Sequence, residues 1–135
     1  MKPHRPDIAA FLAAGNFSVV GASQDRSKYG NKVLRCYAQH GLPVVAVNPK
    51  GVDVEGMQGY ASLAAVPSTV RAASVVAPPG AAMAIVEAAI LRGIQSLWFQ
   101  PGAENAAASA VARAAGLAVI DDGACLLVAL GFADH

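Results

Sequence analysis

Short apolar runs alternate along this chain with longer alanine-rich stretches, and this alternation is the feature that most restricts the fold. The runs are uniformly apolar, whereas a strand with one wet face would alternate apolar and polar residues. Strands of this kind suit a parallel sheet covered on both faces. They read FSVVGA, PVVAVN, ASVVAP, SLWFQ and LAVID.

The stretches between the runs predict helices that cross over from one strand to the next. Each ends in a glycine, which suits the end of a helix: KYGNKVLRCYAQHG, GAAMAIVEAAILRG and ENAAASAVARAAG. Right-handed crossovers then place helices on both faces of the sheet. We therefore predict an α/β fold, a three-layer αβα sandwich with a mostly parallel five-stranded sheet.

One segment, GVDVEGMQGYASLAAVPSTV, interrupts this rhythm where a second crossover helix is expected. Its glycine and proline content predicts a turn or a small sixth strand, followed by a short helix near residues 62–66. The residues up to Ala14 are expected to form another short helix that packs on the sheet.

Length and composition indicate one domain spanning residues 1–135, because 55% of the residues are apolar and can form a core of their own. The net charge is only +1 with scattered cations, which argues against nucleic-acid and membrane surfaces. No apolar run is long enough to cross a membrane, and we expect a cytoplasmic protein. Cys36 and Cys125 form no C-x-x-C motif, so we expect two reduced, mostly buried thiols and no metal site.

Glycine, proline and charged residues concentrate directly after the predicted strands. The five loops read GASQDRSKYG, NPKG, PPGA, QPGAEN and DDGAC. In an open parallel sheet, ligands bind beyond the carboxyl ends of the strands, where the strand order reverses. We therefore expect this rim to hold the binding site.

The first loop carries two cations where a helix begins. Gly21 permits a tight turn, and the helix start offers free N–H groups to an anion. Arg26 and Lys28 oppose the helix dipole there, so a bound phosphate would relieve the conflict. The alternative is that both cations are simply solvated, and that the polar residues of the loop cap the helix, namely Ser23, Asp25 and Ser27.

The residues do not match a nicotinamide dinucleotide fingerprint. G-x-G-x-x-G is missing after the first strand, and the second strand ends in Asn48-Pro49-Lys50 rather than in an acidic residue. Lys50 instead favours an extra ribose phosphate, which could be the 2′-phosphate of NADP or the 3′-phosphate of coenzyme A. Pro78 and Pro79 either form an apolar wall for an adenine or merely end a strand.

Five segments, in this order and spacing, resemble the small stand-alone CoA-binding proteins, whose domain is similar to that of the succinyl-CoA synthetase alpha subunit and of ADP-forming acyl-CoA synthetases. They are VVGAS with KYGNKV (19–33), VNPKG (47–51), VEGMQGYASLAAVP (54–67), VVAPPGA (75–81) and WFQPGAEN (98–105). The resemblance implies a Rossmann-like fold that binds the nucleotide part of CoA.

The resemblance also implies roles for particular residues. The phosphates would lie against Gly21, Ala22 and Ser23, with Lys28 and Tyr29 closing over them. The ribose and its phosphate would meet Asn48, Pro49 and Lys50, and the adenine would meet Ala77, Pro78 and Pro79. Trp98, Gln100 and Gly102 match the fourth-strand motif, where we expect Trp98 to support the fold. Pro101 interrupts that motif and DDGAC departs from an Asp-basic-Cys ending, so Cys125 receives no shared role.

The residues do not predict a catalytic centre. The synthetases of the resemblance need a phosphorylated histidine in a further domain, whereas His4 and His135 lie near the ends of this chain and His40 at a helix end. Asp121 and Asp122 are adjacent, and side chains adjacent on a strand point to opposite faces.

Three functions remain open. The first is a non-catalytic protein that binds CoA or acyl-CoA as a carrier, a sensor or an accessory subunit, with a possible protein partner in acyl-CoA metabolism. The second is an NADP-binding module or a small NADP-dependent reductase. The third is a degenerate domain that binds a protein partner and no nucleotide.

Overall fold

A six-stranded, fully parallel sheet forms the centre of the molecule. In the computed structural model, which describes residues 4–134, the strand order is β3-β2-β1-β4-β5-β6. The strands are β1 (Phe17–Val20), β2 (Val44–Val47), β3 (Gly59–Tyr60), β4 (Ala72–Val75), β5 (Ser96–Phe99) and β6 (Ala118–Ile120). The predicted five-strand parallel sheet is confirmed, and the interrupting segment supplies the sixth strand, β3.

Helices cover both faces of the sheet, which confirms the predicted three-layer arrangement. They are α1 (Pro6–Leu12), α2 (Tyr29–Gln39), α3 (Ala82–Arg92), α4 (Ala106–Ala114) and α5 (Leu126–Leu130). One apolar cluster joins α1, α2 and α5 to the sheet, and a second joins α3 and α4 to its other face. Within residues 4–134, each helix is too short or too polar to cross a membrane.

The short elements differ in how far the sequence predicts them. The short helix expected near residues 62–66 is present as a single 3₁₀ turn, Leu63–Ala65, because Pro67, two residues after it, leaves no room for a longer helix. The helix α5 is not predicted, since its five apolar residues are too few for a helical periodicity to show. The short helix expected before Ala14 is present as α1.

The register of the strands brings their carboxyl ends to one level. Val20 of β1 lies opposite Val47 of β2 on one side and Val75 of β4 on the other, and Val75 lies opposite Phe99 of β5. The chain leaves β1 towards one half of the sheet and returns through β4 to the other half. The strand order therefore reverses at β1, and four loops leave the sheet beside this point.

Trp98 holds the second half of the sheet to the layer above it. Its side chain is fully buried, and its ring lies edge-on to Phe11 of α1 at 5.3 Å between centroids. Its indole Nε1 donates a hydrogen bond to the Ala124 carbonyl oxygen at 2.9 Å. The tryptophan thus joins β5, α1 and the loop before α5, which confirms its predicted role in the fold.

We expect Trp98→Phe to lower the free energy of unfolding by about 1–3 kcal/mol, because it leaves the Ala124 carbonyl without its partner and a small cavity beside Phe11. Trp98 is the only tryptophan, so urea unfolding should be followed by circular dichroism. Leu91→Ala is the control, since that side chain is 87% exposed. Equal stability of the two variants would contradict this role for Trp98.

Candidate functional site

The loop between β1 and α2 begins with an unusually close backbone contact. Gly21 has a φ of +95°, and a Cβ atom there would lie 1.7 Å from the Val76 carbonyl oxygen. A Cβ atom on Gly30, in the first turn of α2, would lie 2.0 Å from the Gly21 carbonyl oxygen. Only glycine fits at either position. As a result, α2 starts directly on the end of β1.

The start of α2 is held without a side-chain cap. Lys28 occupies the N-cap position, and its ammonium group has no acceptor to offer the first-turn N–H groups. The polar residues before it form a turn of their own instead. The Ser23 hydroxyl oxygen accepts from the Asp25 N–H at 3.1 Å, and the Asp25 carboxylate accepts from the N–H and the hydroxyl of Ser27 at 3.0 and 2.7 Å. The alternative in which Ser23, Asp25 or Ser27 caps α2 is therefore wrong.

This turn also fixes the charge of Asp25. The hydrogen bonds from Ser27, with a smaller contribution from the nearby Lys28 ammonium, lower the pKa of the Asp25 carboxyl group. Asp25 is accordingly an anion at neutral pH, and it moderates the positive potential that Lys28 creates at the helix start.

The loop after β2 is a tight turn clamped by Asn48. Its side-chain oxygen accepts from the Val52 N–H at 3.1 Å, and its Nδ2 donates to the Val52 carbonyl oxygen at 2.9 Å. The Gly51 N–H donates to the Asn48 carbonyl oxygen at 2.9 Å. These three bonds fix the turn and leave Lys50 exposed at its tip.

A cavity of about 540 Å³ lies between these two loops, at the carboxyl ends of β1 and β2. We call it the polar cavity. Both Lys28 and Lys50 line it, as do Tyr29 and Gly30 at the start of α2. Its lining residues are Gly21, Ala22, Ser23, Gln24, Asp25, Lys28, Tyr29, Gly30, Asn48, Pro49, Lys50, Val52 and Val76.

A second cavity of about 500 Å³ adjoins the first and shares Gly21, Asn48, Pro49 and Val76 with it. We call it the apolar cavity, because alanine, valine, leucine, isoleucine and proline form most of its walls. It lies between the carboxyl ends of β1, β2 and β4 and the first turns of α3. Its other lining residues are Val20, Val47, Ala61, Ser62, Leu63, Ala77, Pro78, Ala81, Ala84, Ile85 and Ala88.

Tyr29 bridges the polar cavity and the other half of the sheet. Its side chain is half-buried, and its hydroxyl donates to Gln100 Oε1 at 3.2 Å and lies 2.7 Å from the Cys125 Sγ. Burial, more than the neighbouring thiol, raises the pKa of the Tyr29 hydroxyl. The same Gln100 oxygen accepts from the Leu126 N–H at 2.9 Å. Gln100 therefore ties the end of β5 to both α2 and α5.

Arg26 is not among the residues that line the polar cavity, and it forms an ion pair with Glu55. Glu55 lies in a turn that leaves the sheet between β2 and β3, and Gln24 of the first loop donates to the Asp53 carbonyl oxygen in the same turn at 3.2 Å. The two cations of the first loop thus differ in position. Lys28 lines the polar cavity, whereas Arg26 fastens the loop to the turn at residues 53–55.

Several further polar residues have separate structural partners. Asp121 pairs with Arg113 and Asp122 with Arg5, so the two carboxylates do not act as a pair. His40 lies at the end of α2, as predicted, with its Nε2 2.6 Å from the Gly131 carbonyl oxygen. His135 lies outside the described residues.

The two thiols are free, as expected. Cys36 is fully buried, and burial raises the pKa of its thiol to about 11. Cys125 is half-buried beside the Tyr29 hydroxyl. Across residues 4–134, no group of three His, Cys, Asp or Glu side chains is arranged to hold a metal ion.

The structure brings most of the predicted site residues together. The polar cavity collects the residues of the first two loops, and the apolar cavity collects Ala77 and Pro78. Pro79 lines neither cavity; it starts a 3₁₀ turn, and its carbonyl oxygen accepts from Asn105 Nδ2 at 3.0 Å.

Sequence reasoning missed the contact of Gly30 with Gly21 and the walls that come from residues 61–63 and from α3. The first had a signal, because a glycine in the first turn of a helix is unfavourable unless close packing requires it.

The sequence of this chain matches a known protein family. The CoA binding domain family matches residues 15–131, which is most of the chain. The chain belongs to the CoA binding domain family. This CoA binding domain is also similar to solved structures, some of comparable size at 26–34% identity and others about three to four times as long at 20–24% identity.

Two examples come from the genus Pyrococcus. A conserved hypothetical protein from Pyrococcus furiosus is 34% identical, with a TM-score of 0.78, over 84% of this chain and 97% of the other. A hypothetical protein from Pyrococcus horikoshii is 29% identical, with a TM-score of 0.82, over 95% of both chains. An acetyl-coenzyme A synthetase from Candidatus Korarchaeum cryptofilum has a TM-score of 0.68 at 24% identity, and the match covers 78% of this chain but 25% of that one. The last similarity shows the shared fold alone.

We expect Gly30→Ala to destabilise the domain by about 1–3 kcal/mol or more, because its Cβ atom would collide with the Gly21 carbonyl oxygen. Gly80→Ala is the matched control: neither glycine has a positive φ, and a Cβ atom at Gly80 meets nothing within 4 Å. Thermal and urea unfolding of both variants test the contact. If Gly30→Ala is as stable as Gly80→Ala, α2 does not start on the end of β1.

Proposed function

We propose that this domain binds coenzyme A or an acyl-CoA at the carboxyl ends of β1, β2 and β4, and that it acts without catalysis as a carrier, a sensor or an accessory subunit. One observation carries the proposal. Two lysines and an uncapped helix start surround one cavity, and an apolar cavity adjoins it. Phosphates and an adenine are the two chemistries that such neighbouring spaces suit.

The diphosphate of CoA belongs at the start of α2 in this proposal. Gly21 and Gly30 carry no side chains that would keep a ligand from the backbone, and the first-turn N–H groups of α2 suit a phosphate oxygen. Lys28 opposes the helix dipole at a cost of about 0.3–1 kcal/mol in the free protein. A bound diphosphate reverses the sign of that interaction, and this accounts for a lysine at the N-cap. Ala22, Ser23 and Tyr29 complete the walls around it.

The 3′-phosphate on the ribose of CoA belongs beside Lys50. The side chain of Asn48 makes two hydrogen bonds with the Val52 backbone, so we assign Asn48 to holding the turn rather than to the ligand. Pro49 stiffens the same turn, and Lys50 is left as the charged group that meets the extra phosphate.

The adenine belongs in the apolar cavity, against Ala77 and Pro78. Those residues follow β4, the neighbour of β1 at the point where the strand order reverses. Pro79 has a supporting part in this proposal, since it begins the turn that carries Pro78 and Ala81 to the cavity wall.

The acetyl-coenzyme A synthetase that shares this fold is about four times as long as the matched region, so its activity belongs to a larger protein. We propose that residues 1–135 form one ligand-binding domain, and that any reaction on a bound acyl-CoA is carried out by a protein partner in acyl-CoA metabolism.

An NADP-binding module is the second candidate, because Lys50 suits a 2′-phosphate as well as a 3′-phosphate. Calorimetric titration with CoA, dephospho-CoA, NADPH and NADH separates the two. We expect CoA to bind most tightly. Tighter binding of NADPH than of CoA would overturn the proposal, and binding of none of the four would favour a domain that recognises a protein partner instead.

We expect Lys50→Ala to weaken binding of CoA more than binding of dephospho-CoA, because only CoA carries the 3′-phosphate. Calorimetry with both ligands gives the difference. Arg71→Ala is the control, since it removes the same charge from the amino ends of the strands, just before β4. Equal losses for the two ligands would remove Lys50 from the phosphate site.

We expect Lys28→Ala to weaken CoA and dephospho-CoA alike, by about 1–3 kcal/mol, because both ligands carry the diphosphate. The loss should shrink as salt is added, since the interaction is between charges at an open site. An unchanged Kd for both ligands would mean that Lys28 is merely solvated at the helix start.

A further inference from the structure

Arg35 is a buried cation on α2 that contacts the backbone of the first loop. Its side chain is only 7% exposed, and it does not line the polar cavity. Each of the three nitrogens of its guanidinium group nevertheless donates a hydrogen bond. Nε donates to Asn31 Oδ1 at 2.6 Å, one terminal nitrogen donates to the Arg26 carbonyl oxygen at 3.0 Å, and the other donates to the Asp134 carboxylate at 2.9 Å.

Asn31 continues this network to the loop. Its residue is fully buried, and its Nδ2 donates to the Ser23 carbonyl oxygen at 2.8 Å and to Glu55 Oε2 at 3.2 Å. With its oxygen held by Arg35, the whole amide of Asn31 is used. Two backbone carbonyl oxygens of the loop, those of Ser23 and Arg26, therefore accept hydrogen bonds from two buried side chains of α2.

The other side of Arg35 is covered by residues 131–134. The Phe132 ring lies below the guanidinium carbon, 5.1 Å from it to the ring centroid. Gln39 of α2 exchanges two hydrogen bonds with the Ala133 backbone, at 2.6 and 3.1 Å. Lys32 lies 3.6 Å from the second oxygen of Asp134. Segment 131–134 is thus fastened along α2 so that Asp134 meets Arg35.

We propose that Arg35 is a positioning residue for the phosphate-binding loop, and that the docking of segment 131–134 on α2 sets the affinity of that loop for CoA. This inference rests on the proposed function. The physical reason is that a buried guanidinium needs all its partners. When Asp134 leaves, Arg35 turns towards solvent to recover hydration, and the carbonyl oxygens that it and Asn31 hold become free to face the incoming anion.

The role of Asp134 in this network can be tested by removing its carboxylate. Asp134 is exposed, so its removal leaves the core intact, and the hydrogen bond from Arg35 is the main cause that lowers the pKa of its carboxyl group. Asp122 offers a matched control. It is similarly exposed, it pairs with Arg5 at 2.8 Å, and its hydrogen bonds go to Arg5 and to the Ala124 N–H rather than to the first loop.

The experiment compares wild type, Asp134→Ala, Asp122→Ala and Arg35→Lys. We expect Asp134→Ala and Arg35→Lys to weaken CoA binding about three- to tenfold, while Asp122→Ala retains the wild-type Kd. Lysine keeps the charge, but its single ammonium nitrogen cannot reach the three separate acceptors that the three guanidinium nitrogens reach. Hydrogen exchange measured by mass spectrometry should show faster exchange in residues 22–28 of ligand-free Asp134→Ala, with no such change in Asp122→Ala.

The coupling must also run in reverse, since an effect of the segment on ligand affinity requires an equal effect of the ligand on the segment. We expect CoA to slow hydrogen exchange in residues 131–134 of the wild type. Wild-type affinity and unchanged exchange in residues 22–28 of Asp134→Ala would overturn the inference while CoA binding stands. If the wild type does not bind CoA, the proposed function fails, and the ligand-free exchange of residues 22–28 still decides whether segment 131–134 holds the loop.

Discussion

The close backbone contact at the end of β1 is the constraint on which the rest of this structure depends. Gly21 lies under the Val76 carbonyl, and Gly30 lies against the Gly21 carbonyl. A side chain at either position would displace α2 from the sheet and would itself occupy space at the carboxyl ends of the strands. The contact therefore determines where α2 begins, how β1 meets β4, and whether a ligand can approach the backbone at all.

Much of the fold follows from the sequence because its strands are buried on both faces. A run such as that of β2, VVAV, contains no polar residue, so it can lie only between two helical layers. The elements that the sequence predicts least well are short: the helix Leu126–Leu130 is not predicted, and only the place of the 3₁₀ turn Leu63–Ala65 is, as a short helix. Elements of three to five residues are set by what they pack against, and this information is spread over the whole chain.

The candidate site was also predictable only in part. The loops that carry Lys28 and Lys50 could be located from the sequence because they follow strands. The different orientation of Arg26 could not, since its partner Glu55 comes 29 residues later and no local pattern pairs the two residues. Asn48 and Tyr29 also look like ligand-facing residues in the sequence, whereas their polar atoms serve Val52, Gln100 and the region of Cys125.

The central claim is that the start of α2 receives the diphosphate of CoA, and a crystal structure of the complex tests it most directly. The account predicts diphosphate oxygens within hydrogen-bond distance of the first-turn N–H groups of α2 and of the Lys28 ammonium, with the adenine against Pro78. A structure in which CoA binds away from α2, with Lys28 still in solvent, would contradict it.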